Sequence, residues 1–575
     1  DVKLLITSRE ALQLRAEWQW QLRGLDYPQH EAVPADVKSD AVELFIERAS
    51  QQRQDVDLSD AYPDIIKICQ IVEGMPLALE LAAGWIRSLS CQQIVSELSE
   101  SLNFLKSRHR DIPLRHRSMR IVFNTSWRML SEVEQAVLCG LSVFRGGCTL
   151  QAIQTITGVS LPVLTALVEK SFIRHDASLQ RYDMHELLRQ YAEEKLQQMF
   201  VYQKQILDRH CVYYTDLLHH EERNIIRGKQ AHLLPDLDNF RMAWRQAITY
   251  QKVESLQRAA GGLLWVYHFQ NMSDEAEQVF RLAETMLSEL PQTDDNRFST
   301  GMIRMIRCWF TARLGKLTHI KQDMASALAH WEGLEERPEM VMPLGRAMMN
   351  MMGLADFDAA LTFTDRVLTL TRRYDDRFTQ AIALTTRAVI IMNHQGHLDE
   401  VQHLLHEAIA IDREIDFGLN ARWSEQLLAH ITALQGYHRS AITHMEASIA
   451  YARMSSVKFS RSHDLYLMGL LYLELEEDTK ARACFEECIE IANQLRNKVG
   501  ILFGKAGLVT LTFYQGDVAS ATAAYELIDE QLHQMVNPSN SQSIPEYAAF
   551  LAMQLGYNQK ALTYYETMLS QPGIL

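Results

Sequence analysis

The sequence is poor in the features that mark several classes of protein. Its eight cysteines are scattered over 575 residues, a pattern that does not suit a disulfide-stapled secreted domain and favours a reducing, cytoplasmic compartment. A membrane span is not expected, because no apolar run reaches the ~18 residues that cross a bilayer. The net charge of -15 has the wrong sign for a chain that binds nucleic acid or an anionic membrane. With only 13 prolines, the chain is expected to be ordered, in about three or four domains.

A nucleotide-hydrolysing loop is also missing. No Gly-x-x-x-x-Gly-Lys-[Ser/Thr] sequence occurs, and no aliphatic strand ending in paired acids precedes Asp1. These are the elements that hold a triphosphate and its magnesium ion. We therefore expect this chain alone not to hydrolyse ATP, and we interpret it as a portion of a longer protein.

What the chain does contain begins with a short aliphatic run. Residues 2–6 predict a buried parallel strand, and Arg9 follows at its carboxyl end, where open α/β sheets bind ligands. Arg9 is a candidate phosphate contact or a surface ion-pair residue. Helices are predicted at 40–49, 62–73 and 77–89, with a break at Gly74 and Pro76. This junction needs no ligand, although the proline edge offers a surface on which a flat ring could rest.

The next segment has the order of a winged helix. Short helices at 150–157 and 161–170 are followed by predicted strands at 171–174 and 180–184. The helix at 161–170 carries one lysine, one glutamate and no arginine, so we do not expect direct contact with DNA there.

His185 falls where this winged-helix segment meets a predicted helix. Apolar residues recur at helical spacing after it, so His185 lies at the helix start, where unpaired N–H groups and the helix dipole favour an anion. The residue either contacts a phosphate or merely caps and packs the helix.

One repeat dominates the sequence from residue 263 onward. An apolar, mostly small residue recurs with a period of 40 residues from Val401 onward and with slightly different spacing before it. These anchor positions are Ala276, Ile320, Ala360, Val401, Ala441, Ala481, Ala521 and Ala561. Bulkier apolar residues follow four and seven places later, and a glycine often stands five places before. The pattern predicts stacked tetratricopeptide-like helical hairpins with a longer than usual repeat.

Several motifs together resemble one known family, the signal-transduction ATPases with numerous domains (STAND). Within that family the chain looks like the large bacterial regulators that carry an NB-ARC-type ATPase and a tetratricopeptide arm. The resemblance rests on motifs at 4–9, 41–49, 73–83, 141–147, 184–186 and 237–241. It implies a mainly α chain with a remnant of a P-loop α/β domain (1–30), a helical domain (31–107), a winged helix (113–200), a helical connector (201–262) and an α-solenoid of repeats (263–575).

The resemblance also implies a function and its residues. Arg9 would sense the terminal phosphate, Gly74 and Pro76 would lie beside the adenine, and His185 would contact the β-phosphate of ADP, while Glu186 replaces the family's usual aspartate. The chain would be the regulatory and sensor portion of an ADP/ATP-switched signal-transduction or transcriptional regulator, with magnesium only in the full-length parent. A protein or small-molecule ligand would bind the repeat arm, and activation would lead to a homo-oligomer. The alternative is a non-enzymatic scaffold for protein–protein interaction.

Overall fold

The computed structural model describes residues 24–28, 39–52, 58, 61–100, 105, 119–354, 356–394, 397–454, 459–494, 497–535, 552–553, 557, 559–560 and 562–563. Within these residues the chain is mainly α-helical, which confirms the predicted fold class. It divides into two compact units. The first contains Asp1–Thr215 with Leu233–Gln246, and the second contains Asp216–His232 with Ala247–Leu575. The predicted strand at 2–6 and Arg9 lie outside the described residues.

The first unit consists of short helices and one small sheet. Its described elements are α1 (Asp40–Gln52), α2 (Tyr62–Ile71), α3 (Pro76–Ala83), α4 (Cys91–Glu100), α5 (Met119–Trp127), α6 (Glu132–Leu141), β1 (Cys148–Thr149), α7 (Leu150–Thr157), α8 (Leu161–Glu169), β2 (Arg174–Asp176), β3 (Arg181–Asp183) and α9 (Glu186–Gln197). It also holds parts of α10 (Phe200–Ile226) and α11 (Leu237–Thr249), with a one-turn 3-10 helix at Leu234–Asp236.

The sheet differs from its sequence prediction in two respects. The hairpin strand expected at 171–174 begins only at Arg174, because Ser171 has a left-handed backbone with φ 59°. The two-residue strand β1 was not predicted, since so short a run has no period of its own. It pairs antiparallel with β3, and β2 pairs with the other edge of β3, giving the order β1-β3-β2.

Helix α3 is shorter than the apolar pattern predicted. It ends at Ala83, and Gly84 begins a series of tight turns in which backbone N–H groups donate to carbonyls three residues earlier, as from Trp85 to Ala82. Glycine is a poor helix former, so the helix ends there although the apolar periodicity of the sequence continues.

A buried polar network ties α11 to the small sheet. The Arg181 guanidinium donates to both carboxylate oxygens of Asp236 at 3.0 and 2.9 Å, and to the carbonyl of Gly147 at 3.0 Å. The Asn239 amide donates to Gly147 O and to Asp236, each at 2.9 Å, and its oxygen accepts from Arg145 N at 2.8 Å. The two motifs at 141–147 and 237–241 therefore meet in one hydrogen-bonded cluster.

The second unit is a row of helical hairpins. After the ends of α10 and α11 its described helices are α12 (Val253–Phe269), α13 (Ser273–Glu289), α14 (Asp294–Arg313), α15 (Ile320–Trp331), α16 (Val341–Gly353), α17 (Phe357–Tyr374), α18 (Arg377–His394), α19 (Leu398–Glu414), α20 (Gly418–Leu434), α21 (His438–Met454), α22 (Phe459–Glu474), α23 (Asp478–Gln494), α24 (Lys498–Tyr514) and α25 (Val518–Met535). Most of these helices pack on their neighbours in sequence, and alternate helices such as α14 and α16 also touch.

The predicted anchors are buried where the repeat requires them. Among the described residues, each anchor lies within the first four residues of the second helix of a hairpin and is at most 1% exposed, namely Ala276, Ile320, Ala360, Val401, Ala441, Ala481 and Ala521. Ala561 lies outside the described residues. A small side chain at this point lets the paired helices approach closely, so each hairpin buries its apolar face against its neighbours.

The turn five residues before the anchor has a left-handed backbone in most units. Gly315, Gly436 and Gly516 have φ between 71° and 84°, and the non-glycine residues Asn271 and Glu476 adopt φ 55° and 58° at the equivalent position. The backbone conformation is therefore more regular than the sequence, because a non-glycine residue can take it at a modest cost.

No single helix in the described part of the chain is long and apolar enough to cross a membrane. The bent pair Leu150–Thr157 and Leu161–Glu169 reaches the required length and composition only when its two helices are taken together.

Candidate functional site

His185 stands at the N-terminal end of α9 and holds two elements of the first unit together. Its Nδ1 accepts from the backbone N–H of Leu187 at 3.1 Å, and its Nε2 lies 3.2 Å from the carbonyl oxygen of Val72. A carbonyl can only accept, so Nε2 carries the proton and Nδ1 is free to accept. Burial lowers the pKa of His185 below its ordinary value, which keeps this neutral form near neutral pH. The residue thus caps α9 and binds the loop that follows α2.

Glu73, in that same loop, occupies the anion position at the start of α9. Its Oε1 accepts from the backbone N–H of Glu186 at 3.0 Å, and its other oxygen pairs with Arg174. Its Oε1 also lies 3.9 Å from Nδ1 of His185, but that contact is not an ion pair while the imidazole is neutral. A carboxylate at a helix N-terminus is favoured by the exposed N–H groups and the helix dipole.

Gly74 and Pro76 complete the loop. Gly74 has φ 65°, and its carbonyl accepts from Leu25 N at 2.8 Å. A Cβ at Gly74 would lie 2.0 Å from the carbonyl oxygen of Leu25, so no side chain fits there. Pro76 is the first residue of α3, a position at which its missing N–H costs nothing. The structure therefore brings the loop that carries Gly74 and Pro76 against His185 through Val72, whereas Arg9 lies outside the described residues.

A cavity of about 220 Å³ adjoins the start of α9. Its lining residues are Glu73, Leu141, Phe144, Gly146, Gly147, Cys148, Ile173, Tyr182, Asp183, Met184, Glu186 and Arg189. Arg189 is already paired with Glu186 and Glu193, each at 2.6 Å. Burial, and then the charge of Glu73, raise the pKa of Asp183. Three of the lining residues, Glu73, Asp183 and Glu186, thus bring carboxyl groups to the cavity.

A diphosphate does not fit this arrangement of the described residues. The N–H of Glu186 donates to Glu73 and that of Leu187 donates to His185, so two donors that would meet a phosphate at the start of α9 are engaged. The neighbouring carboxyl groups of the cavity would also repel it. Nucleotide at this position requires Glu73 to leave.

Two features that shape the site were not predicted from the sequence: the position of the Glu73 carboxylate and the Arg181–Asp236 pair. Glu73 was seen only as part of a motif, although its left-handed φ of 47° is unusual for glutamate. Arg181 and Asp236 are 55 residues apart, and no local pattern pairs them. The only sequence signal was that both residues lie next to recognised motifs.

Comparison with known proteins supports the family resemblance at the level of the fold. A family model for the tetratricopeptide repeat matches residues 465–495, which contain most of α22 and α23. The crystal structure of a Signal Transduction ATPase with Numerous Domains protein with a tetratricopeptide repeat sensor, from Pyrococcus horikoshii, matches with a TM-score of 0.51 at 14% identity, covering 92% of this chain and 72% of that chain. The fold of this chain is similar to the fold of that protein. The resemblance inferred from the sequence motifs is thereby confirmed for the architecture.

Relatives by sequence are regulators and uncharacterised proteins. Rv0890c of Mycobacterium tuberculosis, a predicted HTH-type transcriptional regulator, is 29% identical over 257 residues. Those residues are 42% of this chain and 28% of the relative. The uncharacterised protein Rv0894 of the same organism is 29% identical over 204 residues, 34% of this chain and 49% of its own length. The chain thus spans about a quarter to a half of these relatives.

Proposed function

We propose that this chain is the regulatory and sensor portion of a nucleotide-switched (ADP/ATP) signal-transduction or transcriptional regulator. The repeat arm binds a ligand or protein partner, and the first unit carries the switch. The STAND-like fold and the similarity to a predicted HTH-type regulator support this assignment. The observation on which it depends is the contact between the loop carrying Gly74 and Pro76 and the start of α9.

This contact has the properties of a latch. It consists of one hydrogen bond from His185 to Val72, one from Glu186 N to Glu73, and the Arg174–Glu73 ion pair. These polar contacts can be exchanged for others, unlike a packed apolar core. A phosphate and the Glu73 carboxylate would compete for the same N–H group of Glu186, so the latch and an anion at this position exclude one another.

The arm supplies the second half of the proposal. Stacked hairpins give a continuous, extended surface on which a peptide, protein or small molecule can bind. A ligand that shifts a switch from mostly closed to mostly open must bind the open state more tightly by about 5 kcal/mol, which an extended surface can supply. In the open state the protein would self-associate.

The experiment uses the full-length natural protein, which on this proposal carries a phosphate-binding loop. ADP dissociation is measured for the wild type, His185→Ala and Glu73→Gln, with the exposed Glu169→Gln as the control. We expect faster ADP release from His185→Ala, and tighter ADP binding by Glu73→Gln because the competing carboxylate is removed. Unchanged ADP binding in both variants would refute a role for this site.

A scaffold without a nucleotide switch is the second candidate. The carboxyl-rich cavity and the engagement of Glu186 N by Glu73 favour it. It predicts that the longer protein does not bind ADP, while a partner still binds the repeat arm with the same affinity whether or not ADP is present.

A further inference from the structure

Six side chains at the start of the repeat arm form a cluster unlike the rest of it. They lie on three helices that pack side by side, α12, α14 and α16, and on each helix the two members are three or four residues apart and so share a face. The members, which we call the Arg346 cluster, are Trp265, His268, Trp309, Arg313, Arg346 and Asn350.

The centre of the cluster is a buried cation. Arg346 is 3% exposed, and its guanidinium carbon lies 4.7 Å from the ring centre of Trp265 and 5.1 Å from that of Trp309. Among the described residues it makes neither a hydrogen bond nor an ion pair, and its Nε is buried without a partner. Burial lowers the pKa of Arg346 to about 10, so the group stays protonated at neutral pH. Two aromatic faces attract a cation but do not neutralise it.

Three of the surrounding polar groups are also donors without acceptors. The indole N–H groups of Trp265 and Trp309 and the side-chain amide nitrogen of Asn350 are buried and have no hydrogen-bond partner among the described residues. Nδ1 of His268 is likewise unpartnered. Buried N–H groups in folded proteins nearly always have a hydrogen-bond acceptor, because an unpaired one has lost its hydrogen bond to water and gained none in the protein. The two indole N–H groups and the Asn350 amide are three such donors beside a cation, and they call for an acceptor that carries negative charge.

The local potential is positive and uncompensated. Arg313 adds a second guanidinium 5.8 Å from the ring centre of Trp309. Burial, and then the charges of Arg313 and Arg346, lower the pKa of His268 to about 3. Elsewhere on α14 the arrangement is different, since Arg307 is held by Glu284 at 2.6 Å and by Asp323 at 2.9 Å. Among the described residues, the repeat arm thus pairs the partly buried Arg307 with carboxylates and leaves the buried Arg346 without any.

We propose that the Arg346 cluster is an oxyanion-binding site, which receives a carboxylate or phosphate group of the ligand of the repeat arm. The inference rests on the proposed sensor function and makes it specific. Arg346 supplies the charge and donors in a fixed fork, and Asn350 and the two indole N–H groups supply further donors. The aromatic rings hold the guanidinium in place before the ligand arrives, so little side-chain freedom is lost on binding.

A purely structural role for Arg346 makes the opposite prediction about stability. If Arg346 only pins the two tryptophans together, Arg346→Met should lower the unfolding temperature in buffer without added oxyanion. A binding site kept ready for an anion is instead a stability cost, so Arg346→Met should leave the unfolding temperature unchanged or raise it.

The test measures thermal unfolding of the 575-residue chain as sodium acetate or inorganic phosphate replaces chloride at constant ionic strength. A specific ligand of the folded state raises the unfolding temperature in a saturable way. We expect this rise for at least one of the two probes, and the stronger probe identifies a carboxylate or a phosphate ligand. In Arg346→Met the concentration needed should increase by about tenfold or more, because a charge-assisted hydrogen bond is lost.

Two further variants keep the test decisive. Trp265→Phe and Trp309→Phe keep an aromatic ring beside Arg346 but remove the indole N–H together with the rest of the five-membered ring. Each should weaken the anion response, and its unfolding temperature without oxyanion measures how much packing is lost. Arg366→Met is the matched control, because Arg366 is half-exposed and lies 3.7 Å from Glu336. A response that does not saturate, or that is equal in the wild type and Arg346→Met, would overturn the proposal. No nucleotide is involved, so failure here leaves the test at His185 and Glu73 standing.

Discussion

Removing Asp236 should selectively loosen the junction between α11 and the small sheet. The Arg181 and Asp236 side chains are 10% and 7% exposed, and their two hydrogen bonds are 3.0 and 2.9 Å long. Burial alone would lower the pKa of Arg181, and the hydrogen bonds and charge of Asp236 raise it instead. Asp236→Ala leaves this cation buried without its counter-charge, which typically costs about 3–5 kcal/mol. That corresponds to roughly two to three and a half orders of magnitude in an opening equilibrium.

Native-state hydrogen exchange measures this directly, because it reports local opening in a chain with more than one compact unit. Amides in Leu233–Gln246 should lose protection by that factor in Asp236→Ala. The control is Asp238→Asn, whose side chain is 56% exposed and pairs with Arg241. A double variant, Arg181→Met with Asp236→Leu, should recover most of the protection because no charge remains buried. Protection in Asp236→Ala within tenfold of the control would show that the pair does not hold the junction.

The remaining predictions concern the repeat arm and are measured as unfolding free energies or temperatures. Glu476→Gly should raise the free energy of unfolding by about 0.5–1 kcal/mol, because glycine adopts φ 58° without strain. Gly436→Ala should lower the free energy of unfolding by a similar amount. A change of the same sign in both variants would contradict this. Ala441→Leu should destabilise by about 1–3 kcal/mol, since the anchor is 0% exposed; a neutral effect would show slack in the packing. Burial raises the pKa of Asp412 from 3.8 to about 8. Between these two pH values the folded state keeps a proton on Asp412, whereas the unfolded state has released it. Stability should therefore fall as pH rises through that window, and Asp412→Asn should abolish the fall; an unchanged pH profile would contradict it.

Much of the arm could be predicted from the sequence because its packing repeats. A buried small residue recurs every 40 residues or so, and the same hairpin contact is made each time, so local spacing carries the information. The left-handed turns were only partly predictable. Glycine marks them at Gly315 and Gly436, but Asn271 and Glu476 adopt the same conformation without that signal. Context, not residue type, fixes the backbone there.

The candidate site was less predictable because its chemistry is made by distant parts of the chain. His185 was placed at a helix start from periodicity alone, and the structure puts it there as the cap of α9. That Glu73 would take the anion position, 113 residues away, depends on how the loop after α2 is folded. The Arg346 cluster was invisible for a different reason. Its distinguishing feature is that its donors have no hydrogen-bond acceptor among the described residues. A sequence pattern does not show which donors lack an acceptor in the folded chain.

Strain in the loop after α2 bears on how the proposed latch would work. Glu73 and Gly74 are both left-handed, with φ 47° and 65°, and for glutamate this conformation costs about 1–2 kcal/mol. The contacts of Glu73 with Glu186 N and Arg174 offset that cost only while the latch is closed. Opening loses these contacts but also frees Glu73 to return to an ordinary backbone conformation. The closed state is thus less favoured than its hydrogen bonds alone suggest, and a small energy gap between two arrangements is what lets differential ligand binding control a switch.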